Sequence, residues 1–388
     1  MKYIFVIFIA ILCISAVVII GFDFVMNFVS QMKRYRIGRW KDEEQWKDAV
    51  KKRCYKWMKR TPTVKKTDNY RYLLLDIVRG NYRNATIQSW QTAGLVLGVN
   101  EIEDEESQAV IKQWKEKILT KDGQWRQLGN KVDYALLAYA LLKATEDVQS
   151  IKPAMDCVVK ILENNLCEDG MVSYSQGKDT CIRFVDTLGM VCSFLTAYGV
   201  VYQKDKYVDM AMRQIEAYRE VGLLRNSALP CHACNVNTRK PLGIYGWGRG
   251  AAWYFLALVN TWKELPHSDN KEKVEQWILE AANCYIQYQQ PDGGFCTILQ
   301  GGGQYDSSVT AAMSYFYRMC WEIFGEKKFL KVSDKCLMKV KTVTMRNGAI
   351  DVCQGDTHGI GVFSQVFDIM PFAQGLVMQT LEMKTEET

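Results

Sequence analysis

The stretch RFVDTLGMVCSFLTAYGVVY (183–202) is apolar around almost its whole circumference when it is wound into a helix, and it carries one carboxylate near its head, Asp186. The stretch that follows it, KDKYVDMAMRQIEAYREV (204–221), has one charged face and one apolar face. A helix that is apolar all round must be buried on every side, whereas an amphipathic helix lies at a surface. This pair therefore predicts an inner helix covered by an outer one.

The same alternation of helix types recurs along the chain. Three further amphipathic stretches are ESQAVIKQWKEKIL (106–119), NKEKVEQWILEAANCYIQYQQ (270–290) and EKKFLKVSDKCLMKV (326–340). Three further all-apolar stretches are VDYALLAYALL (132–142), WGRGAAWYFLALVNTW (247–262) and SSVTAAMSYFYRMCW (307–321). Strand-like alternation is rare and there are only 7 prolines, so the body is predicted to be all-α.

Glycine turns join the outer helices to the inner ones at KDGQW (121–125), EDGMVSY (168–174), PDGGF (291–295) and RNGAI (346–350). Polar residues head the inner helices at intervals of about 50 to 65 residues, a period typical of helical repeat arrays; they are Asp133, Asp186, Arg249, Asp306 and His358. About six such pairs close most simply into an (α/α)6 barrel, a six-hairpin toroid. Because all inner helices of a toroid begin at one mouth, their polar heads are expected to converge there.

Composition favours one large helical domain rather than several small ones. Of 388 residues, 48% are hydrophobic and 24% are charged, which excludes a disordered chain. The regular repeat argues against the two or three domains that length alone suggests. We predict a membrane anchor or signal-anchor at 1–30, a basic juxtamembrane linker at 31–43 and an (α/α)6 toroid at 44–388.

The N-terminal stretch YIFVIFIAILCISAVVII (3–20) has no charge and is long enough to cross a bilayer as a helix. It is long for the apolar core of a signal peptide, and no small-x-small cleavage pattern follows it. These features favour an uncleaved single-pass membrane helix, with a cleaved signal peptide as the alternative.

The side of the membrane on which the body lies stays open. The basic residues of the linker and the 13 cysteines, which show no disulfide framework, favour the cytoplasm. Signal-anchored domains, however, often face outward. Much of the net charge of +6 lies in the linker, where it is better suited to anionic lipid than to nucleic acid, so no nucleic-acid partner is predicted.

The heads of two inner helices point to chemistry on sugars. Asp133 and Asp186 would lie together at an aromatic-rich mouth, and two carboxylates in one cleft are the usual means of cleaving a glycosidic bond. Both residues are equally suited to be helix N-caps, which accept backbone N–H groups. A non-catalytic sugar-binding toroid would show the same pattern, as would a conventional two-carboxylate glycosidase.

Seven motifs together resemble glycoside hydrolase families 88 and 105, the unsaturated glucuronyl and rhamnogalacturonyl hydrolases, over about residues 45–383. The most specific feature is V-D-x-x-x-M at 185–190 combined with a downstream W-x-R-G at 247–250. The other motifs occur in the family order; they are VDYALLAYALL, PCHACNV, QQPDGGF, YDSSVTAAMSYFYRM and HGIGVFSQ.

The resemblance implies an (α/α)6 barrel that removes a 4,5-unsaturated uronic acid from the non-reducing end of lyase-generated oligosaccharides. In that family an Asp protonates C4 of the vinyl ether, water adds at C5, and the hemiketal opens to release the next sugar. Asp186 matches the general acid and base, and Asp133 matches the second pocket carboxylate. His232, Trp247, Arg249 and Trp253 match the lining of the sugar site. No metal or other cofactor is implied.

These residue types suit that reaction. Protonating carbon needs a carboxyl group that still holds its proton near neutral pH, and apolar surroundings with a second carboxylate favour this. The planar fork of Arg249 suits a uronate carboxylate. Trp247 and Trp253 offer flat faces for a pyranose ring, although such residues also serve as plain core packing.

Two features depart from the family or invite another interpretation. After W-x-R-G the relatives usually continue Asn-Gly-Trp, whereas this chain has Ala251 and Ala252 before Trp253. Activity or substrate choice is therefore expected to differ. The motif CHAC (231–234) resembles a metal site, but a structural zinc site needs ligands from a second cluster, and no metal is predicted.

Overall fold

A computed structural model of the chain describes residues 1–65, 73–80, 84–174 and 181–383. The α-helices in these residues are α1 (Lys2–Met32), α2 (Glu43–Lys59), α3 (Leu74–Val78), α4 (Ser89–Asn100), α5 (Glu105–Ile118), α6 (Tyr134–Lys143), α7 (Lys152–Asn164), α8 (Val185–Val201), α9 (Asp205–Gly222), α10 (Gly248–Glu264), α11 (Asp269–Tyr285), α12 (Ser307–Phe324), α13 (Lys327–Lys341) and α14 (Pro371–Glu382). The strands are β1 (Thr63–Lys65), β2 (Asn84–Thr86), β3 (Ile182–Phe184), β4 (Cys231–Asn235), β5 (Lys240–Tyr245), β6 (Cys353–Gln354) and β7 (Phe367–Asp368).

Six helices form a closed inner ring, in which α4, α6, α8, α10, α12 and α14 each contact the next and α14 returns to α4. The outer helices are α2, α5, α7, α9, α11 and α13, so inner and outer helices alternate along the chain. In α8, every residue from Val185 to Gly199 except Asp186 is buried, as its all-apolar sequence requires. The predicted (α/α)6 barrel is confirmed.

The ring closes through glycines where α4 meets α14. A Cβ on Gly375 would lie 1.9 Å from the carbonyl oxygen of Gly94, and a Cβ on Gly98 would lie 2.4 Å from the carbonyl oxygen of Gly375. Real Cβ atoms do not approach backbone so closely, so any side chain at these positions would force the two helices apart. The first and last inner helices are therefore joined by direct backbone packing.

The predicted glycine turns are present, and Gly348 shows why glycine is needed. Its φ of +81° lies in the left-handed region, which residues with a Cβ rarely adopt. A Cβ there would also lie 1.9 Å from the carbonyl oxygen of Ala49, on outer helix α2. The turn after α13 thus packs directly on α2, which links the last hairpin to the first outer helix.

Apolar residues at helical spacing predict one helix over 68–97 and another over 358–383, and neither has this length in the structure. A single helix over 68–97 is wrong, because α3 ends at Val78 and β2 pairs with β1 before α4 begins; residues 66–72 and 81–83 lie outside the described part. A helix over 358–383 is wrong at its start, because α14 begins at Pro371, and proline favours the first turn of a helix. His358 consequently lies in a loop and heads no helix.

The N-terminal helix α1 is the one helix of the described residues that is long and apolar enough to cross a membrane. Its span Lys2–Val29 has a mean hydropathy of 3.2 in its most apolar window, and none of that window is buried against the rest of the chain. A signal sequence has the same properties. Near its end Asp23 accepts a hydrogen bond from the backbone N–H of Leu74 at 2.8 Å, which connects α1 to α3.

The predicted linker is paired to the toroid rather than separate from it. The N–H of Gly38 donates to the carbonyl of Thr344, and the N–H of Arg346 donates to the carbonyl of Arg36, both at 2.8 Å. Two backbone hydrogen bonds fix the chain where it leaves the short 3-10 turn at Lys33–Arg36. The end of α1 is thereby held beside the loop that follows α13.

Candidate active site

Asp186 lies where β3 passes directly into α8, and its side chain forms part of the wall of a cavity of about 310 Å³. The side chain is 16% exposed within a helix that is otherwise buried down to Gly199. The same cavity is lined by four of the other predicted site residues, His232, Trp247, Arg249 and Trp253. The structure thus brings five of the six predicted residues together.

His232 reaches this cavity because β4 pairs antiparallel with β3, with Ala233 opposite Phe184. Its Nε2 lies 3.6 Å from Oδ2 of Asp186, and its Nδ1 accepts a hydrogen bond from the backbone N–H of Gly361 at 3.2 Å. An Nδ1 that accepts a hydrogen bond carries no proton, so a neutral imidazole holds its proton on Nε2, toward Asp186. The imidazole therefore presents a donor to the carboxylate.

Neither cysteine of the CHAC motif lines this cavity, and both are fully buried in the protein. The Cys231 thiol donates to the carbonyl of Ala233 at 2.8 Å and lies 3.7 Å from the hydroxyl of Tyr218, inside the protein. The pKa of Cys231 is raised, mainly because the thiol is buried. The motif is explained by one strand that places a histidine in the cavity and thiols in the core.

Asp133 lies in an adjoining cavity of about 600 Å³ and not in the wall of the smaller one. Its side chain is buried, and its Oδ1 has no hydrogen-bond partner among the described residues. Burial raises the pKa of Asp133, and the charge of Lys131 opposes that rise. The two predicted carboxylates therefore occupy neighbouring cavities.

The two cavities meet at four shared residues, Gln88, Asp356, Thr357 and His358. We call the 310 Å³ cavity, which contains Asp186, the inner cavity, the 600 Å³ cavity, which contains Asp133, the outer cavity, and these four residues the junction. The names do not refer to depth, because both cavities are open to solvent to a similar extent. Tyr174 is close enough to be influenced by the carboxylates of both cavities. Burial is the largest cause of its raised pKa of about 12, and the charges of Asp133, Asp186 and Asp356 add to the rise.

The alternative in which both carboxylates are helix caps is not what the structure shows. No side-chain cap hydrogen bond is present at the start of α6, which Asp133 precedes, or of α8, which contains Asp186 in its first turn. Asp306 behaves quite differently: its Oδ1 accepts from the N–H and the hydroxyl of Ser308 at the start of α12. Of the carboxylates at inner-helix heads, Asp306 is the structural one.

Arg249 lines the inner cavity, but its guanidinium donates hydrogen bonds to backbone carbonyls. Its two terminal nitrogens donate to the carbonyls of Gln354 and Gly355 at 2.5 and 2.6 Å, and its guanidinium lies over the ring of Trp247 at 5.2 Å. These bonds hold the segment that leads to Asp356. The predicted contact of the same fork with a uronate carboxylate stays a prediction.

The two predicted tryptophans line the inner cavity and are also part of the hydrophobic core. Trp247 and Trp253 line the inner cavity, yet each is only 2% exposed. Trp247 packs on His232 with ring centroids 4.7 Å apart, and Trp253 packs on Phe372 at 5.0 Å. Ala251 and Ala252, which replace the family's usual Asn-Gly, are buried in α10 and contribute nothing to the wall.

The residue that sequence reasoning missed is Asp356. Its Oδ2 accepts a hydrogen bond from Nε2 of Gln88 at 2.7 Å, and it lines both cavities. Burial raises the pKa of Asp356 and the charge of Asp186 adds to the rise, whereas Arg249 and His358 oppose it. No periodic pattern marks a residue in an irregular loop, so the sequence offered no signal beyond the polar run QGDTHG (354–359).

Solved structures of other proteins share this fold at low sequence identity. A possible family 105 member from Salmonella enterica has a TM-score of 0.72 at 15% identity, covering 89% of this chain and 94% of that one. An unsaturated glucuronyl hydrolase specific for heparin has a TM-score of 0.66 at 14% identity, covering 87% and 96%. An unsaturated glucuronyl hydrolase of a Bacillus species, responsible for the degradation of glycosaminoglycan, has a TM-score of 0.60 at 13% identity, covering 86% and 94%.

No curated protein matches the chain closely enough to be compared with it. The model of one protein family, Glycosyl Hydrolase Family 88, matches residues 49–380, which is nearly the whole toroid. With its closed ring of helix pairs and a carboxylate-lined cavity at one mouth, the chain belongs to glycosyl hydrolase family 88 and is a glycoside hydrolase.

Proposed function

We propose that this enzyme removes 4,5-unsaturated uronic acids from the non-reducing ends of oligosaccharides by hydrating the vinyl ether. The observation that carries the proposal is the pair formed by Asp186 and His232 in an aromatic cavity of a family 88 toroid. The inner cavity, at about 310 Å³, is of a size to hold one sugar ring, and the outer cavity continues from it.

Asp186 supplies the proton and then accepts one. Its carboxylic acid transfers a proton to C4, which leaves positive charge on C5 and the ring oxygen. Water adds at C5 and gives its proton to the Asp186 carboxylate, which restores the acid. The hemiketal opens by breaking the bond from C5 to the ring oxygen, and the resulting hemiacetal at C1 collapses to an aldehyde and releases the next sugar as an alcohol.

His232 serves this cycle as a positioning residue. Its Nε2–H faces Oδ2 of Asp186, so the imidazole orients the carboxyl group and stabilises it whenever it is charged. We propose that Asp133, which lines the outer cavity, positions the substrate there by bonding a sugar hydroxyl. The two carboxylates thus act on different parts of the substrate.

Incubation with lyase-generated disaccharides tests the proposal, because hydration destroys the conjugated double bond and its ultraviolet absorbance. We expect absorbance to fall in step with the release of the second sugar. A catalytically weakened binding toroid would bind the disaccharide without this loss. A conventional two-carboxylate glycosidase would also cleave the saturated analogue, and either result would contradict the proposal.

The substitution Arg249→Lys should act mainly on substrate binding. Lysine keeps the positive charge beside the inner cavity but loses the fork that holds the carbonyls of Gln354 and Gly355. We expect KM to rise about tenfold, the effect of losing roughly 1.4 kcal/mol of binding, with a smaller change in kcat. Steady-state kinetics measure both; an unchanged KM would contradict this assignment.

We further propose that α1 anchors the enzyme in a membrane, because it is long enough to span one and its apolar surface is exposed. The full-length chain should stay in the membrane fraction after a high-salt wash, since salt weakens charge contacts but not burial in lipid. Deletion of residues 1–30 should release the toroid. Recovery of full-length chain in the soluble fraction would contradict the anchor.

A further inference from the structure

We propose that Asp356 selects the sugar next to the uronate, favouring hydroxyl or ammonium groups at the junction and disfavouring sulfate or carboxylate there. This inference rests on the proposed function and names the substrate class that the site prefers. It concerns the position at which the inner cavity opens into the outer one, where the linkage between the two sugars must pass.

The position of Asp356 follows from the shared walls of the cavities. A substrate that places its terminal uronate beside Asp186 in the inner cavity extends its second sugar into the outer one. It therefore passes Asp356 and Gln88, both of which line the two cavities. A substituent near the linkage meets the Asp356 carboxyl group before any other acid of the outer cavity.

The carboxyl group of Asp356 is held in place from two sides. Gln88 donates from Nε2 to Oδ2 of Asp356 at 2.7 Å, and Oε1 of Gln88 accepts from the indole N–H of Trp90 at 2.8 Å. The backbone before Asp356 is fixed by the two bonds from Arg249. Among the described residues nothing is hydrogen-bonded to Oδ1 of Asp356, so this oxygen is available to accept from a ligand.

The charges around the junction favour donors over anions. Asp186 stands on one side of Asp356, and the outer cavity holds two more acids, Asp133 and Asp368. The nearby cations are Arg249, His358 and Lys131, so acids outnumber the permanently charged cations around the junction. Two N–H groups of Arg249 are already bound to backbone carbonyls. A carboxylate that accepts from hydroxyl or ammonium groups repels a sulfate at the same place.

The test compares disaccharides that share the unsaturated uronate and differ only in the second sugar: one without sulfate, one with sulfate, and one with a free amine. The measured quantity is the ratio of kcat/KM for the unsulfated and sulfated substrates. We expect a ratio of at least about ten for the unaltered enzyme, falling to within about threefold of unity in Asp356→Asn, because the amide keeps the shape and removes the charge.

Two further variants separate charge from structure. Asp356→Glu keeps the negative charge and should keep the preference against sulfate. Asp205→Asn makes the same chemical change at an exposed acid of α9 that lines neither cavity, and it should leave the ratio unchanged. A ratio that stays high in Asp356→Asn, or is near unity in the unaltered enzyme, would overturn the assignment.

Binding of the same three disaccharides to Asp186→Asn, measured by calorimetry, makes the two proposals separable. A preference for the unsulfated and amino sugars in binding supports the assignment of Asp356 even if the unaltered enzyme turns over none of the three. Absence of turnover by the unaltered enzyme would contradict the hydration proposal alone. Equal binding of all three disaccharides would overturn the assignment of Asp356, whatever the enzyme does to the double bond.

Discussion

Asp186→Asn is expected to lower turnover of unsaturated disaccharide by a factor on the order of 10² to 10⁴, the usual contribution of a positioned general acid. Asparagine has the same shape, and its side-chain oxygen can still face the Nε2–H of His232, but it has no acidic proton to transfer to C4. Asp186 makes no helix-cap hydrogen bond, so the protein should fold with its stability little changed. Initial rates and thermal unfolding of the purified variant measure the two effects.

Asp205→Asn is the matched control for this experiment. Asp205 occupies the first turn of outer helix α9, where it is exposed and lines neither the inner nor the outer cavity. The same chemical change there should leave the rate nearly unaltered. Near-normal turnover by Asp186→Asn would rule out this residue as the proton donor, even within an intact toroid.

Gly375→Val is expected to lower the free energy of unfolding by about 3 kcal/mol, the upper part of the range for overpacked sites. The Cβ of any residue at this position would lie 1.9 Å from the carbonyl oxygen of Gly94, and backbone cannot swing aside as a side chain can. The contact between α4 and α14 closes the ring, so the cost should appear in the whole domain. Chemical denaturation measures it.

Gly301→Val provides the comparison, because a Cβ at Gly301 would meet only the side chain of Ile298, at 3.4 Å. It should change stability far less than Gly375→Val. Equal stabilities for the two variants would show that α4 and α14 do not meet through their backbones, and closure of the ring would then need another explanation.

The ring of helices was predictable because it depends on periodic burial. Helix α8 is apolar all round and α9 is amphipathic, and this difference alone separates inner from outer positions. Apolar spacing alone extends the last inner helix back to residue 358, but Pro371 marks its first turn. The apolar residues before that proline belong instead to the loop that carries His358.

The site was predictable only where its residues stand on helices or in motifs. Asp186 heads a helix, but its neighbour His232 arrives through the pairing of β4 with β3, a contact between distant parts of the chain. Asp356 lies in an irregular loop that is held by hydrogen bonds from Arg249, which is distant in sequence. No local sequence pattern predicts the position of such a residue. The separation of Asp133 into an adjoining cavity likewise depends on loops, not on helix order.

Vinyl-ether hydration is tested most directly by nuclear magnetic resonance of the reaction in heavy water, recorded from the first turnovers. Protonation by Asp186 predicts that one deuteron enters C4, in a single configuration, at the same rate as the second sugar is released. Conventional displacement at the anomeric carbon would instead release the free unsaturated uronic acid with its double bond intact. Transient accumulation of that unsaturated monosaccharide, with no deuteron at C4, would contradict the mechanism.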